Sequence, residues 1–533
     1  MAPRRTEPVG RSRRAGTGWA VTAGGVRVGR SLRAGTGWVG QGDTRWQAGP
    51  LARSLPRPPR LARPRLPDVA LPSWDQTLAR AGRWADEADH LHSVDGDLGT
   101  GAPPAGLTAS AWALVKAAAT LLGAPITVPA MALAGRRAQQ VALARILRFD
   151  EHLVAVAEGK ESPLPAPRRG RLSSDRRIVI TSDLHRCIPG RLDWPARQRT
   201  KQLTLRVLSG YAEQGWDLVE NGDIEDFWLV GGSTWGAVYD VARITGGVGG
   251  RAADVPRRGL LTEHLDRIVD NNAATYRMLR EGFCEDGRYH RTMGNHDDVY
   301  ADELLAEHLG RHLPGVEVVD TLLLTRPEAL ARPDGGDALG LAGVDAVVAH
   351  GHLTDAWNGP GHAFLGQLIT WMATAFDDLP GLGGSVGGLP DEEGLGRLLT
   401  GRGRNRLITL DPRFGGNRRF DSLDEQRLFD HLERVVAESG AASGAVRPDG
   451  EVGWPWLLFG HTHLPMLRPL DGAGRQVDYA NSGTGLLERA VSMIEWDPAR
   501  REPRLVVWVD EPDGPRRREL VPDGRHLAVA DER

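Results

Sequence analysis

Cysteine is nearly missing from this 533-residue chain, with Cys187 and Cys284 the only two. They allow at most one bridge, which excludes a disulfide framework and points to a reducing, cytoplasmic setting. Lysine is as scarce: Lys116, Lys160 and Lys201 stand against 63 arginines. Lysine codons are A-rich and arginine codons G/C-rich, so the bias reflects base composition rather than a phosphate-binding surface. Long apolar runs are missing too. The nearest to one, 117–135, has 19 residues without a charge, but Pro125 and Pro129 interrupt it and much of the rest is Ala, Thr and Gly. It reads as buried helices joined by a proline turn, and no stable membrane span is expected. The chain as a whole also lacks a strong charge, at -3. Residues 1–66 nevertheless hold 14 Arg with only Glu7 and Asp43 as acids, leaving 52 basic against 67 acidic residues beyond them. That remainder, at about -15, makes a general nucleic-acid surface a poor reading.

The chain is long enough for a large core and more than one structural region. Residues 1–66 are rich in Gly, Pro and Arg, and a near-duplicate recurs within them, RSRRAGTGW at 11–19 and RSLRAGTGW at 30–38. Two copies make no solenoid, and the arginine pairs lack the apolar stretch of an export signal, so a disordered tail is expected. A helical region follows over 67–160, with apolar residues spaced by three and four through WDQTLARAGRWADEADHLH and RRAQQVALARILRFDEHLVAVAEG. Residues 161–174 read as a linker. From 175 to 515 short β-rich runs alternate with helical stretches, which indicates an α/β domain. Strands are expected at RRIVITSD, WDLVENGD, YHRTMGNHD, VDAVVAH, WPWLLFGHTH, VDYANSG, VSMIEW and PRLVVWV, with helices near 197–214 and 258–283. A helical insertion is expected at about 355–450, and 516–533 read as a C-terminal tail.

What singles out the domain is where its polar residues fall. The expected strands end in Asp183 and His185, Asp223, Asn295 and His296, His350, and His461 and His463. Residues two apart on an extended segment point to one side, so Asp183 with His185, and His461 with His463, can converge. Strand ends are where α/β folds build their sites. Mixed oxygen and imidazole donors suit Mn, Fe or Zn, since calcium takes oxygens alone and structural zinc takes thiolates. Three Asp/Asn oxygens and four imidazoles exceed one octahedron, so two divalent ions are expected, with a carboxylate such as Asp223 between them. Taken singly, each residue has a plain structural reading: a lone buried His is usually hydrogen-bonded in a core, and a single Gly-Asp is usually a turn. Their joint order is what carries the argument.

The ordered set DLH, NGDIED, GNHD, AHGH and GHTH over 176–483 resembles the calcineurin-like metallophosphoesterase superfamily, whose pattern is DxH, GDxxD, GNH(D/E), H and GHxH. The resemblance implies a two-sheet β-sandwich flanked by helices, four layers in α/β/β/α order. It implies one metal held by Asp183, His185, Asp223 and His463, and another by Asp223, Asn295, His350 and His461. The general acid would be His296, oriented by Asp226. His352, beside His350, is an alternative ligand, and spacing favours His350. Asp297 and Asp298 read as turn or supporting groups, and the remaining histidines, among them His264, His290 and His362, as structural.

Protein Ser/Thr phosphatases of the superfamily place Arg directly after GDxxD, where this chain has Phe227 and Trp228. The run GDIEDFWLVG instead resembles the GDxxDxW stretch of UDP-diacylglucosamine pyrophosphohydrolases, which usually carry Arg where this chain has His296. The expected activity is hydrolysis of phosphate esters or pyrophosphates with two divalent ions, Mn²⁺ first and Fe or Zn as alternatives. A phosphorylated small molecule or a lipid-linked substrate would be the partner. Helices at 363–376 and near 422–438 would form a cap over the metals, or the first would pack in the core. The Gly-rich stretch 231–250 would form a loop at the same rim. A DNA-repair-type nuclease on the same core and a non-catalytic metal-binding scaffold are the alternatives. The acidic balance disfavours the nuclease, and the intact ligand set disfavours the scaffold. Because no periodic apolar face ties 1–66 to a core, a chain beginning at Val69 should keep full activity and metal content. Metal binding lost on that truncation, measured by elemental analysis, would refute an inert tail.

Overall fold

In a computed structural model, the described residues are 107–165, 168–189, 192–197, 199–229, 254–330, 341, 343–360, 363–374, 423–439, 445–446, 452–468, 477–487, 489–523 and 526–530. The expectations for 1–66, the helical pattern at 74–92, the Gly-rich stretch 231–250 and His362 lie outside them. The fold is α/β, with two mixed sheets and helices. Its strands are β1 Arg169–Ser173, β2 Ile178–Thr181, β3 Asp217–Asn221, β4 Tyr289–Thr292, β5 Val318–Val319, β6 Thr321–Thr325, β7 Val344–Ala349, β8 Ala445–Val446, β9 Val452–Gly453, β10 Trp456–Phe459, β11 Met466–Arg468, β12 Tyr479–Asn481, β13 Ala490–Asp497, β14 Glu502–Glu511, β15 Gly514–Asp523 and β16 His526–Val529. One sheet runs β1-β6-β7-β10-β12-β11 and the other β16-β15-β14-β13-β2-β3-β4-β5, while β8 and β9 form a small hairpin. In the larger sheet β2, β3, β4 and β5 are parallel, and β13 joins β2 antiparallel. In the smaller, β7, β10 and β12 are parallel.

Alternation along the strands decides how the sheets pack. Ile178, Ile180 and Val219 of the larger sheet share one apolar cluster with Leu322, Leu324, Ala346, Val348 and Leu458 of the smaller. The next residues along those strands point the other way. Val179 and Leu218 join a cluster with Leu203, Val207 and Tyr211 of a helix at Thr200–Glu213. Leu323, Val347, Leu457 and Phe459 pack with Leu153 and Val156 of a helix at Phe149–Glu158, and with Leu428, Phe429 and Leu432 of one at Leu423–Ser439. A middle cluster fed by both sheets and two outer clusters fed by helices is the arrangement a two-sheet sandwich requires.

In chain order these helices and their companions are α1 Leu107–Ile146, α2 Phe149–Glu158, α3 Thr200–Glu213, α4 Asp254–Asn271, α5 Ala273–Leu279, α6 Glu303–His312, α7 Ala363–Thr374 and α8 Leu423–Ser439. Several differ from expectation. The stretch 117–135 belongs to one continuous 40-residue helix, α1, with Pro125 and Pro129 inside it. Each proline removes one backbone donor, and at a spacing of four both gaps fall on the same side of the helix. Nor is the stretch buried throughout, since Leu121, Leu122 and Leu133 are exposed. Among the described residues no helix is long and apolar enough to cross a membrane. The expected linker 161–174 contributes β1, parallel to β6, and Arg169 and Arg171 reach back to the carbonyls of Val156 and Ala157 at the end of α2. A strand made of arginines on a sheet edge shows little apolar alternation, which is why it resembles a linker in sequence.

β15 and β16 are likewise hidden within the expected tail 516–533, since β15 carries Arg516, Arg517 and Arg518 and β16 is a sheet edge of only four residues. The run PRRRELVPD pairs antiparallel with β14, and Arg517 donates to both oxygens of Glu495 on β13, at 2.9 and 2.6 Å. Of the two helices expected as a cap, α8 is core, with Leu428, Phe429 and Leu432 buried against the smaller sheet. α7 packs on α1, where Leu365 meets Ala138, Ala142 and Ala356. Both cysteines are free. The tail and strand readings separate cleanly at Leu520, which is buried between the sheets. Leu520→Ala should lower unfolding free energy by about 2–5 kcal/mol in urea melts if β15 is structural, whereas an unstructured tail would tolerate it.

Candidate metal centre

The loops that follow β2, β3, β4, β7 and β10 meet at one end of the two sheets, bringing together the residues that the sequence marks. Asp183, His185 and His463 form one group of converging donor atoms, and Asp223, His350 and His461 form another. His185, Asp223 and His296 form a third overlapping set, so Asp223 lies between the halves. Asp183, His185, Asp223, Asn295 and His350 are each almost wholly buried.

Backbone shape lets so many donors crowd one point. Among the described residues eight non-glycine positions have φ in the left-handed region, and five of them are Asp183 (52°), His185 (45°), Asp223 (54°), His461 (72°) and His463 (60°). That conformation costs L residues energy and persists only where the surroundings enforce it. Glycines allow the loops to approach. A Cβ on Gly294 would strike Asp223, and one on Gly460 would strike Ser182 and the Asp183 carboxylate.

Each carboxylate spends one oxygen on holding a neighbouring loop. Asp183 Oδ2 accepts from the His461 amide at 2.9 Å and from the Ser182 hydroxyl, and Asp223 Oδ1 accepts from the His296 amide at 2.8 Å. The other oxygen then faces the site. Asp183 Oδ1, Asn295 Oδ1 and His350 Nε2 are buried and make no well-aligned hydrogen bond among the described residues, although His463 Nε2 stands 3.2 Å from Asp183 Oδ1 and His350 Nε2 stands 3.2 Å from Asp223 Oδ2. Such atoms are costly without a partner.

The imidazoles are oriented by groups that can only accept. His185 Nδ1 donates to Asp226 Oδ2 at 2.7 Å, and His350 Nδ1 donates to the Asn221 carbonyl at 2.9 Å, so both present Nε2 inward. His461 Nε2 donates to Asp355 Oδ2 at 2.8 Å, leaving Nδ1 as its lone-pair donor. The Nε2 atoms of His185 and His463 face each other at 3.1 Å. Two lone pairs that close repel unless a proton or a cation lies between them. Carboxylate, amide oxygen and imidazole at this density fit borderline divalent ions, and their orphaned atoms supply the missing contacts such ions would satisfy.

His296 lies beside the donor cluster. Its Nδ1 donates to Asp226 Oδ2 at 2.9 Å, and its ring stacks on Trp228 with centroids 4.0 Å apart. The second Asp226 oxygen accepts the amides of Trp228 and Leu229 at 2.8 and 2.7 Å. Burial alone would raise the Asp226 pKa, but His296 and His185 outweigh it and hold the carboxyl far below its usual range. Burial would likewise lower that of His296, yet Asp226 and Asp223 push it up to about 9. For His350 the same contest, with Asp223 and Asp183 prevailing over burial, gives about 10. Bound cations would pull both values back down. His352 is driven the opposite way, to about 3, by burial and then by the neighbouring His350 and His461. It lies outside the converging groups, which include His350.

Behind the loops sits a second, fully buried charge network. Arg291 pairs with Glu225 and, at 2.9 Å, with Asp297, while Arg186 pairs with Glu220. Asp297 also accepts the amides of Gly294 at 2.6 Å and Ile224 at 3.0 Å, tying the GNHD turn to the GDIED loop. Asp297 is thus a supporting group, while Asp298 lines a cavity beside the centre. His264 approaches the Asp226 carbonyl at 3.4 Å, and His290 pairs with Asp217 at 3.0 Å. Sequence reasoning overlooked Asp355, Arg291 and Glu225, and took Trp228 only as a branch marker. Asp355 stands 106 residues from the His461 it orients, and no local pattern joins the two.

The cavity measures about 280 Å³ and opens onto Asn295 and His350 at one end. Phe149, Leu153, Leu353 and Phe459 give it an apolar wall, so α2 of the N-terminal region reaches the site. A scan of protein-family models and a search of curated proteins find no match to this chain. Removing the Arg291 guanidinium would leave Glu225 and Asp297 buried without their cation. Arg291→Ala should therefore cost about 3–5 kcal/mol of unfolding free energy, readable in denaturant melts.

Proposed function

We propose that this chain is a metallophosphoesterase of the calcineurin-like type, hydrolysing a phosphate ester or pyrophosphate with two divalent ions, Mn²⁺ first. The observation that supports this reading is the pair of adjoining donor groups, Asp183 with His185 and His463 and Asp223 with His350 and His461, in which the buried Asp183 Oδ1 is left without a hydrogen bond. Asp183, His185, Asp223 and His463 would hold one ion, and Asp223, Asn295, His350 and His461 the other. The chemistry such a pair supplies when bound is activation of a water and neutralisation of charge on the phosphoryl oxygens.

The chain's own groups account for the rest. Asp226 fixes the tautomer of His296 by accepting from Nδ1, which leaves Nε2 to carry a transferable proton. The carboxylates of Asp226 and Asp223 favour the protonated ring, and bound cations would oppose them. Trp228, stacked on the imidazole, restricts its rotation and shields one face from water. His296 is therefore placed to protonate the leaving oxygen. The apolar wall of Phe149, Leu153 and Phe459 suits a substrate with a hydrophobic group next to its phosphorus, which favours a bulky or lipid-linked ester.

An artificial aryl phosphodiester with Mn²⁺ gives the direct test, and absence of turnover with Mn²⁺, Fe²⁺, Zn²⁺ and Co²⁺ alike would overturn the reading. Variants separate binding from chemistry. Asp223→Asn should lower metal content and activity together, since it removes charge shared by both ions. His296→Ala should keep the metals but lose about 10²–10⁴-fold in rate on an ester with a poor leaving group. On a nitrophenyl ester, whose leaving group needs little protonation, the loss should be much smaller. Equal losses on both substrates would mean that His296 is not the acid.

A further inference from the structure

Away from this centre, α4 and α6 lie side by side and carry a second cluster of donors. His308 and His312 are four residues apart on α6, so both project from one face one turn apart. Asp266 of α4 comes up between them. Its Oδ1 accepts from His308 Nε2 at 2.7 Å and from His312 Nε2 at 2.9 Å. The two rings stand at 74° with centroids 5.5 Å apart, so both Nε2 atoms aim at one point. One oxygen and two imidazole nitrogens, from two helices, thus converge there.

We propose that Asp266, His308 and His312 form a third, independent metal site that takes a borderline divalent ion of the Zn²⁺ kind. Two imidazoles and a carboxylate are the donor set such ions prefer, and a fourth position stays open to water because the Asp266 side chain is 46% exposed. Hydrogen-bond distances of 2.7 and 2.9 Å are shorter than the roughly 3.3 Å between ligands on a tetrahedral zinc at 2.0–2.1 Å. The two oxygen–nitrogen contacts need lengthen by only about half an ångström, within side-chain adjustment, and the three donor atoms lie within 4.8 Å of one another. Each imidazole then carries its proton on Nδ1 instead of Nε2, a tautomer change that leaves its charge unaltered.

The place of this site in the fold gives it a purpose. α6 begins just after the turn that carries Asn295, His296 and Asp297, and α4 carries His264 and Leu265 against the back of the GDIED loop. A second tie already joins the two helices where Arg258 donates to Asp302, the N-cap of α6, at 2.6 Å. An ion at Asp266 would lock their other ends and steady the segments on which His296 and Asp226 are mounted.

The test compares the whole protein with its His308→Ala/His312→Ala double variant. After both are equilibrated with micromolar Zn²⁺ and desalted, elemental analysis should find one zinc fewer per chain in the variant, however many ions the Asp223 centre holds. Zn²⁺ added to metal-stripped protein should raise the melting temperature further in the parent than in the variant, while Mg²⁺ should show no such difference. Co²⁺ should add to the parent a visible absorption of tetrahedral intensity that the variant lacks. Should the double variant fail to fold, Asp266→Asn preserves shape and removes the charged ligand, and it should lose the same zinc equivalent. Equal zinc content and equal Zn²⁺-dependent melting in parent and variant would overturn the proposal and leave the trio a plain hydrogen-bonded contact. The Asp223→Asn variant keeps the two claims apart, since it should retain this zinc whatever becomes of the main centre.

Discussion

Negative charge buried at the strand ends is the constraint on which the rest of this structure depends. Asp183, Asp223 and Asp226 are all but inaccessible, and their loops interlock within a few ångströms. Taking a carboxylate out of water costs several kcal/mol even after relaxation, so three together demand compensation. Part comes from amides and hydroxyls aimed at their oxygens, and part from the histidines. What those partners leave over, foremost on Asp183 Oδ1, is the share that cations would take.

That demand explains the unusual backbone. Five candidate ligands adopt left-handed φ, which Asp and His tolerate better than most residues but still at a cost, and which the closeness of the loops imposes. The strain is held by rigid surroundings: parallel strands β2, β3 and β4 on one side, and the network of Arg291, Glu225 and Asp297 behind. Arg291 acts at a distance, since it touches none of the donors yet orders the Asp297 carboxylate that pins two loops together. Stability and site geometry are therefore coupled through one buried guanidinium.

The N-terminal helices bring a different element. α2 buries Phe149 and Leu153 against the smaller sheet and lends the same side chains to the wall of the cavity at Asn295 and His350. α1 supports α7 through Ala138 and Ala142. Core packing and the shape of the space beside the donors are thus made by the same residues, so substitutions there should alter both.

The sequence by itself determined which residues would crowd together, because strand ends terminating in Asp, Asn and His are visible as short β-rich runs with polar punctuation. Short β-rich runs likewise announced β2, β3, β4, β7, β10, β12, β13 and β14. The sequence could not announce β1 and β15, whose arginines mask the apolar alternation, or β16, a sheet-edge strand of only four residues. Nor did it show that 117–135 lies inside one long helix or that α8 is core. Only the tertiary structure decided which nitrogen of each histidine faces inward, since that is fixed by acceptors such as Asp355 and the Asn221 carbonyl, supplied from distant parts of the chain. The same holds for His308 and His312. Their spacing of four is plain in the sequence, but Asp266 meets them only because α4 packs on α6, and packing between helices is a property of the folded chain alone.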